Sequence, residues 1–308
     1  MTQDKEAIHK ALQNLPQFAG VTPDSYRATR LGGLTNLVYR IETGREKLVL
    51  RIPGEGTSEY IDRAIELHNA RAAQAAGVSP QILWADEQNG VMISRCIDAE
   101  TMTPALFKSR RGAPARAGQA LAKLHDSGQE FRFRFELFAM IDDYLKILTE
   151  KNAALPEGYH QVVAAAEPVK EVLENNPADL APCHCDPLCE NFLDDGQKMW
   201  VIDWEYSGMN DPLWDLGDLS VEAGFTDAQD MEMLRAYFGA DPTAAQVGRM
   251  VIYKAMCDLL WTLWGLIQHV DGNPAEDFWA YSLKRFERCK GLMQAAAFEK
   301  HLMAVRDG

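Results

Sequence analysis

Six cysteines in 308 residues are too few for a disulfide scaffold. They are read as reduced thiols of a cytoplasmic protein. Basic residues are also in deficit: 31 against 45 acidic ones, a net charge of −14. A surface of that sign repels phosphate backbones and anionic lipid, which argues against nucleic-acid and membrane-surface partners. Residues 1–10 lack the apolar core of a secretory leader. The apolar stretch 259–267 falls well short of the roughly 20 residues that span a bilayer, so no membrane insertion is expected. No repeat, low-complexity tract or Gly/Ser linker is found. Two phosphate-binding signatures are missing too: G-x-x-x-x-G-K-[ST], and G-x-G-x-x-G after a strand.

What is present is a chain able to bury a core, with 47% apolar residues and no bias towards collagenous or disordered classes. Runs rich in Val, Ile, Leu and Tyr predict strands at 26–30, 37–42 and 47–52, then at 82–84 and 91–94. Between them, Ile61, Ile65, Leu67 and Ala72 recur at helical spacing and predict a helix over 58–76, with Ser58 as cap and Gly77 as stop. After Cys96 helical patterns dominate, at 112–126, 134–150, 157–175, 212–223, 227–239, 243–270 and 275–294. Short strands at 192–193 and 199–202 interrupt them. The class is α+β in two lobes, a small antiparallel sheet lobe (1–95) and a larger, mainly helical lobe (96–308), with the site expected between them.

The most specific motif is His184-Cys185-Asp186-Pro187-Leu188-Cys189-Glu190-Asn191, or H-x-D-x4-N. Its Asp-to-Asn spacing equals that of the protein-kinase catalytic loop. Cys183, Cys185 and Cys189 surround His184, but their spacing does not match a zinc site. Twelve residues beyond Asn191, an apolar strand ends in Asp203. Phosphoryl transfer needs a positioned hydroxyl and cations on the phosphates. Asp186 fits the group that orients the hydroxyl and takes its proton. Asn191 and Asp203 offer the hard oxygen ligands that Mg2+ prefers. His184 is read as structural. In the sheet, Gly32-Gly33 permits a tight turn and close backbone approach to phosphates. Arg51 stands on the third strand, where a kinase normally has its phosphate-pairing lysine, with Glu66 as the expected partner and Glu59 as its competitor.

On these residues the sequence resembles the choline/ethanolamine kinase family, among the kinase-like small-molecule phosphotransferases related to aminoglycoside phosphotransferases. The resemblance runs from about residue 31 to 286. It is carried by Leu31-Gly32-Gly33-Leu34-Thr35-Asn36, Val49-Leu50-Arg51-Ile52, Leu121-Ala122-Lys123-Leu124-His125, the H-x-D-x4-N loop, Asp203-Trp204-Glu205-Tyr206-Ser207-Gly208, Trp214-Asp215-Leu216-Gly217 and Leu260-Trp261-Thr262-Leu263-Trp264. Cys185 departs from the pattern, since relatives often have Asn or Gly there, and it makes the loop a candidate for oxidation. The resemblance implies a two-lobed protein-kinase-like fold and transfer from ATP, with Mg2+, to the hydroxyl of a small amino alcohol. It places nucleotide contacts at Gly32, Gly33, Thr35, Asn36, Arg51 and Glu66, with the adenine near residues 94–97, where Arg95 and Ile97 lie. It puts Tyr206, Glu222, Trp261, Trp264 and Tyr281 at choline-site positions.

The residues themselves agree at the substrate end. Trp261 and Trp264 share a helix face, and aromatic faces bind quaternary ammonium groups. A stripe of this kind is equally what a core helix shows, and Leu260, Leu263 and Ile267 read as core. Glu222 offers a negative charge beside the cation, Asp215 reads as a brace for the catalytic loop, and Phe278 and Trp279 read as packing. The expected reaction is phosphorylation of choline to phosphocholine and ADP. Ethanolamine, thiamine or another amino alcohol as acceptor, or silent binding of a quaternary amine, remain the alternatives.

Overall fold

Period-two alternation builds the amino-terminal sheet. The computed structural model describes residues 3–32, 36–54 and 61–308. Helix α1 (Gln3–Leu12) precedes strands β1 (Arg27–Arg30), β2 (Asn36–Glu42), β3 (Lys47–Pro53), β4 (Ile82–Ala85) and β5 (Met92–Arg95), which pair antiparallel in the order β1-β2-β3-β5-β4. Tyr39, Ile41, Leu48, Leu50 and Ile93 form one buried cluster with Ile8 and Leu12 of α1. Arg51, one residue beyond Leu50 and opposite Val38 and Met92, therefore faces the other way. The helix between β3 and β4 starts later than its periodicity predicts. It is α2 (Arg63–Ala75), capped by Asp62, whose Oδ1 accepts from the Ala64 and Ile65 amides at 3.0 Å each. Ser58 lies outside the described residues.

The remainder is mainly helical: α3 (Pro104–Ser109), α4 (Ala113–His125), α5 (Leu137–Glu150), α6 (Tyr159–Ala165), α7 (Glu167–Asn175), α8 (Pro212–Ala223), α9 (Asp227–Phe238), α10 (Ala244–Val270), α11 (Phe278–Gln294) and α12 (Phe298–Asp307). The single helix expected over 157–175 is two, because Pro168 in the first turn of α7 has no amide to continue the α6 ladder. α10 packs against α5, α8, α11 and α12. By length and composition it is apolar enough to cross a bilayer, but 78% of its apolar window is buried inside the protein. It is the central core helix.

Close helix crossings depend on glycine. A Cβ on Gly118 of α4 would overlap the Met233 carbonyl oxygen of α9. Gly118→Ala is expected to cost about 1–3 kcal/mol, read as a lower denaturant midpoint at unchanged m value.

Short strands position the loops that matter. β6 (Glu100–Thr101), β8 (Phe192–Asp194) and β9 (Met199–Val201) form one small sheet, and β7 (Ala181–Cys183) pairs with β10 (Gly208–Asn210) in another. The segment holding Asp186 leaves β7, and the segment holding Asp203 runs from β9 to β10. Pairing of Cys183 with Gly208 ties the two segments together at their base.

Candidate active site

The catalytic loop is fixed by its backbone. Asp215 of α8 is fully buried and accepts from the His184 amide at 2.7 Å, the Cys185 amide at 2.8 Å and His125 Nε2 at 3.0 Å. Trp214 Nε1 donates to the Cys185 carbonyl at 2.9 Å. His184 Nε2 bonds the Ile202 carbonyl at 2.8 Å and its Nδ1 receives the Asp186 amide at 3.3 Å, which sets the tautomer with the proton on Nε2. Asp215 and His184 are thus structural, as their sequence context implied. Cys185 has φ +67° and Asp203 has φ +68°, so both loops hold a non-glycine residue in the left-handed region. Such positions cost roughly 1–3 kcal/mol and persist only where the surroundings fix them. Asn or Gly adopts this conformation more readily than Cys. Burial argues against ready oxidation of Cys185, because it pushes the thiol well above its ordinary range, away from the reactive thiolate.

Asp186 follows this strained residue. Burial raises its carboxyl well above the usual carboxylate range. Asp218 and Asp203 add to the rise, and Arg285 opposes it. Asn191 Nδ2 donates to the Asp186 carbonyl at 3.0 Å, so its Oδ1 is the atom that could reach a cation.

Around Asp203 stands a charge cluster only partly visible in the sequence. Carboxylate oxygens of Glu66, Asp203 and Glu205 lie within 4.8 Å of one another. Arg51 pairs with Glu66, contacts Asp203 at 3.3 Å and reaches Glu205 at 3.8 Å. Glu66 is therefore an Arg51 partner, while Glu59 lies outside the described residues. Arg63 was missed: its Nη1 binds Glu66 at 2.8 Å and Glu205 at 2.7 Å. Asn36 Nδ2 donates to the same Glu205 oxygen at 3.1 Å. Glu205 thereby joins the start of β2, the first turn of α2 and the Asp203 segment. Three carboxylates against two guanidinium groups leave a net negative charge built from hard oxygen donors, which fits a divalent cation. Asp203 keeps about a third of its side chain open, yet its carboxyl is pushed up to about 7, by burial first and by Glu205 next. A second trio, His125, Cys183 and Asp215, is fully buried, and both oxygens of its carboxylate are already hydrogen bonded.

Gly32 lies two residues beyond β1, and Gly33 and Thr35 lie outside the described residues. Arg95 is exposed and donates to Gln81 at 2.7 Å, with Ile97 two residues on and half-buried.

At the other end, four aromatic residues meet edge to face. Ring centroids are 5.4 Å apart for Tyr206 and Trp261, 6.4 Å for Trp261 and Trp264, and 5.9 Å for Trp264 and Tyr281. Trp264 Nε1 donates to the Tyr206 hydroxyl at 2.8 Å. Phe278 packs on Trp264 at 5.6 Å. Glu222 does not stand as a lone negative charge, because Arg285 grips both its oxygens, at 2.7 and 3.0 Å, and Arg288 adds a third bond at 3.0 Å. Those arginines lie more than 60 residues downstream, beyond any local sequence signal.

The chain belongs to the phosphotransferase enzyme family, whose model matches residues 28–247. A solved choline/ethanolamine kinase family protein from Mesorhizobium loti is 57% identical, with 98% of this chain and 99% of that one covered at a TM-score of 0.89. The choline kinase LicA from Streptococcus pneumoniae is 25% identical over 93% of this chain and 99% of that one, at a TM-score of 0.76. Ethanolamine kinase 2 of Rattus norvegicus is 26% identical over 86% of this chain and 76% of its own length. The fold is the protein-kinase-like fold of these phosphotransferases, and the protein is a small-molecule kinase of the choline/ethanolamine kinase type.

Proposed function

We propose that the protein phosphorylates choline, transferring the γ-phosphoryl group of ATP to its hydroxyl to give phosphocholine and ADP. The supporting observation is the edge-to-face aromatic group of Tyr206, Trp261, Trp264 and Tyr281. A trimethylammonium group has no hydrogen to donate and is held by aromatic faces, whereas a primary ammonium needs acceptors. In this reading Asp186 orients the hydroxyl and accepts its proton as the oxygen attacks phosphorus. Arg51 and Asn36, together with Gly32, Gly33 and Thr35, bind the phosphates, and Glu66 holds Arg51. The adenine lies along residues 94–97, next to Arg95 and Ile97. The lobes divide at about residue 95, and the enzyme works in the cytoplasm. The intact set of Asp186, Asn191 and Asp203 argues against a silent binding protein.

Asn191 and Asp203 would hold Mg2+, which when bound neutralises charge on the phosphates. Its binding must displace the proton from Asp203. The carboxyl sits at about 7, so apparent Mg2+ affinity should be level above that pH and fall up to about tenfold per unit below it. Mg2+ titrations of tryptophan fluorescence at several pH values check this, and a flat profile through acid pH contradicts the ligand assignment.

The substrate is tested by kcat/KM on choline against ethanolamine, and a strong ethanolamine preference overturns the proposal. Trp264→Ala should raise the KM for choline about 2- to 30-fold, the loss of one cation–π face. No change would return Trp264 to a packing role.

A further inference from the structure

We infer that Asp218, acting through the Trp261 indole, supplies the counter-charge for the substrate's ammonium group, and that Glu222 does not. This rests on the reading of a cationic amino alcohol as acceptor and says which carboxylate selects for its charge.

The inner faces of α8, α10 and α11 bring together Asp218, Glu222 and Asp258 with Arg285 and Arg288. Arg285 binds both oxygens of Glu222 and reaches Asp258 at 3.3 Å. Arg288 binds both oxygens of Asp258, each at 2.6 Å, and Glu222 at 3.0 Å. Two cations and two anions close a ring of zero net charge. Arg285 also lies 4.5 Å over the Tyr281 ring, so that ring already has a cation against it.

Asp218 stands outside this ring. It precedes Glu222 by one helical turn and is 1% exposed. Its hydrogen bond comes from Trp261 Nε1 at 3.2 Å. Among the described residues no lysine, arginine or histidine forms an ion pair with it, although Arg285 is near enough to favour its charge. A buried carboxylate without a cation is costly. Burial and the Glu222 charge accordingly push its carboxyl well above the ordinary range. A cation on the Trp261 face lowers that cost, and by reciprocity the ionised carboxylate tightens the cation. The link is chemical as well as spatial, since an N–H donating to a carboxylate shifts electron density into the indole and strengthens the ring face.

The position suits the substrate. After burial itself, Asp218 is the first influence on Asp186, so the two carboxylates are electrostatic neighbours. An amino alcohol has its hydroxyl and its ammonium two carbons apart. In the inferred pose the hydroxyl meets Asp186 and the ammonium lies over Trp261.

The test compares choline with its uncharged carbon isostere, in which a tert-butyl group replaces trimethylammonium. Asp218→Asn keeps the shape and an acceptor for Trp261 while removing the charge. The advantage of choline over the isostere in kcat/KM should fall about tenfold, chiefly through KM. An unchanged advantage overturns the inference. Trp261→Phe keeps a ring but cuts the link. It should lower the same ratio, and it carries the comparison if Asp218→Asn does not fold. A wild-type enzyme with no preference for choline over the isostere would overturn the cationic-acceptor reading itself, and this inference with it.

Discussion

Asp186→Asn should lower kcat about a thousandfold, within the roughly 10²–10⁴ range of a lost general base, and leave the folded protein and its nucleotide affinity intact. The asymmetry follows from how the residue is held. Its backbone is fixed at both ends, with the amide on His184 Nδ1 at 3.3 Å and the carbonyl on Asn191 Nδ2 at 3.0 Å. Among the described residues its carboxylate makes no ion pair or side-chain hydrogen bond, so an isosteric amide removes no structural contact. What it removes is the proposed proton acceptor, whose carboxyl is raised by burial, then by Asp218 and Asp203.

Linkage gives the same substitution a second signature. A carboxyl raised in the folded state above its unfolded value penalises folding at pH above the folded pKa. The penalty fades as pH falls through that value and is absent once both states are protonated. The variant should therefore be at least as stable as wild type near neutral pH, with the gain lost in acid. Single-turnover transfer and thermal melts across pH check both parts. Wild-type kcat in Asp186→Asn would sink the assignment, and a fall confined to KM would make the residue a binding group instead.

Legibility in the sequence tracked distance along the chain. The H-x-D-x4-N loop and Asp203 are local patterns in the segments that follow β7 and β9, so spacing alone singled them out. Glu66 was assigned through the kinase pattern that pairs a strand cation with a glutamate of the following helix, and Asp215 as a brace for the loop. Arg63 was missed because its role exists only after the start of α2 meets the Asp203 segment, 142 residues away at Glu205. Glu222 was read as an open charge because its partners come from α11, brought alongside by helix packing. Asp218 was passed over for the converse reason: an acid in an amphipathic helix looks solvated until α10 buries it. The tryptophan pair shows the limit of periodicity, which cannot separate core from cage. Trp261 is almost fully buried while Trp264 retains exposure. Cys185 carried no backbone signal, because an unfavourable φ is imposed by its hydrogen-bond partners and not by its own preference.

Those partners give the second large effect. Asp215→Ala should destabilise the protein by about 3–5 kcal/mol, the scale for removing one member of a buried polar or charged set. Three donors converge on the carboxylate, at 2.7, 2.8 and 3.0 Å, and Asp215 itself is fully buried. Alanine leaves two backbone amides and the His125 N–H without acceptors, and an unsatisfied buried donor costs roughly 1–3 kcal/mol. The second consequence is catalytic. Asp215 holds the Cys185 amide, and Cys185 sits at φ +67°. Without that bond the residue relaxes from the left-handed region and carries Asp186, the next residue, with it. Activity should then fall even at temperatures where the variant is folded, and kcat should fall more than KM, since misplacing a proton acceptor leaves substrate contacts largely in place. Asp215→Asn retains an acceptor oxygen but turns an amide donor towards one of the three donors, so it should lie between wild type and alanine in both measurements. Urea unfolding monitored by fluorescence, with transfer assayed under folding conditions, separates the two effects. A midpoint within experimental error of wild type for Asp215→Ala would show that the loop is held by Trp214 and His184 alone. Lost stability with wild-type kcat would show that the strain at Cys185 does not position Asp186.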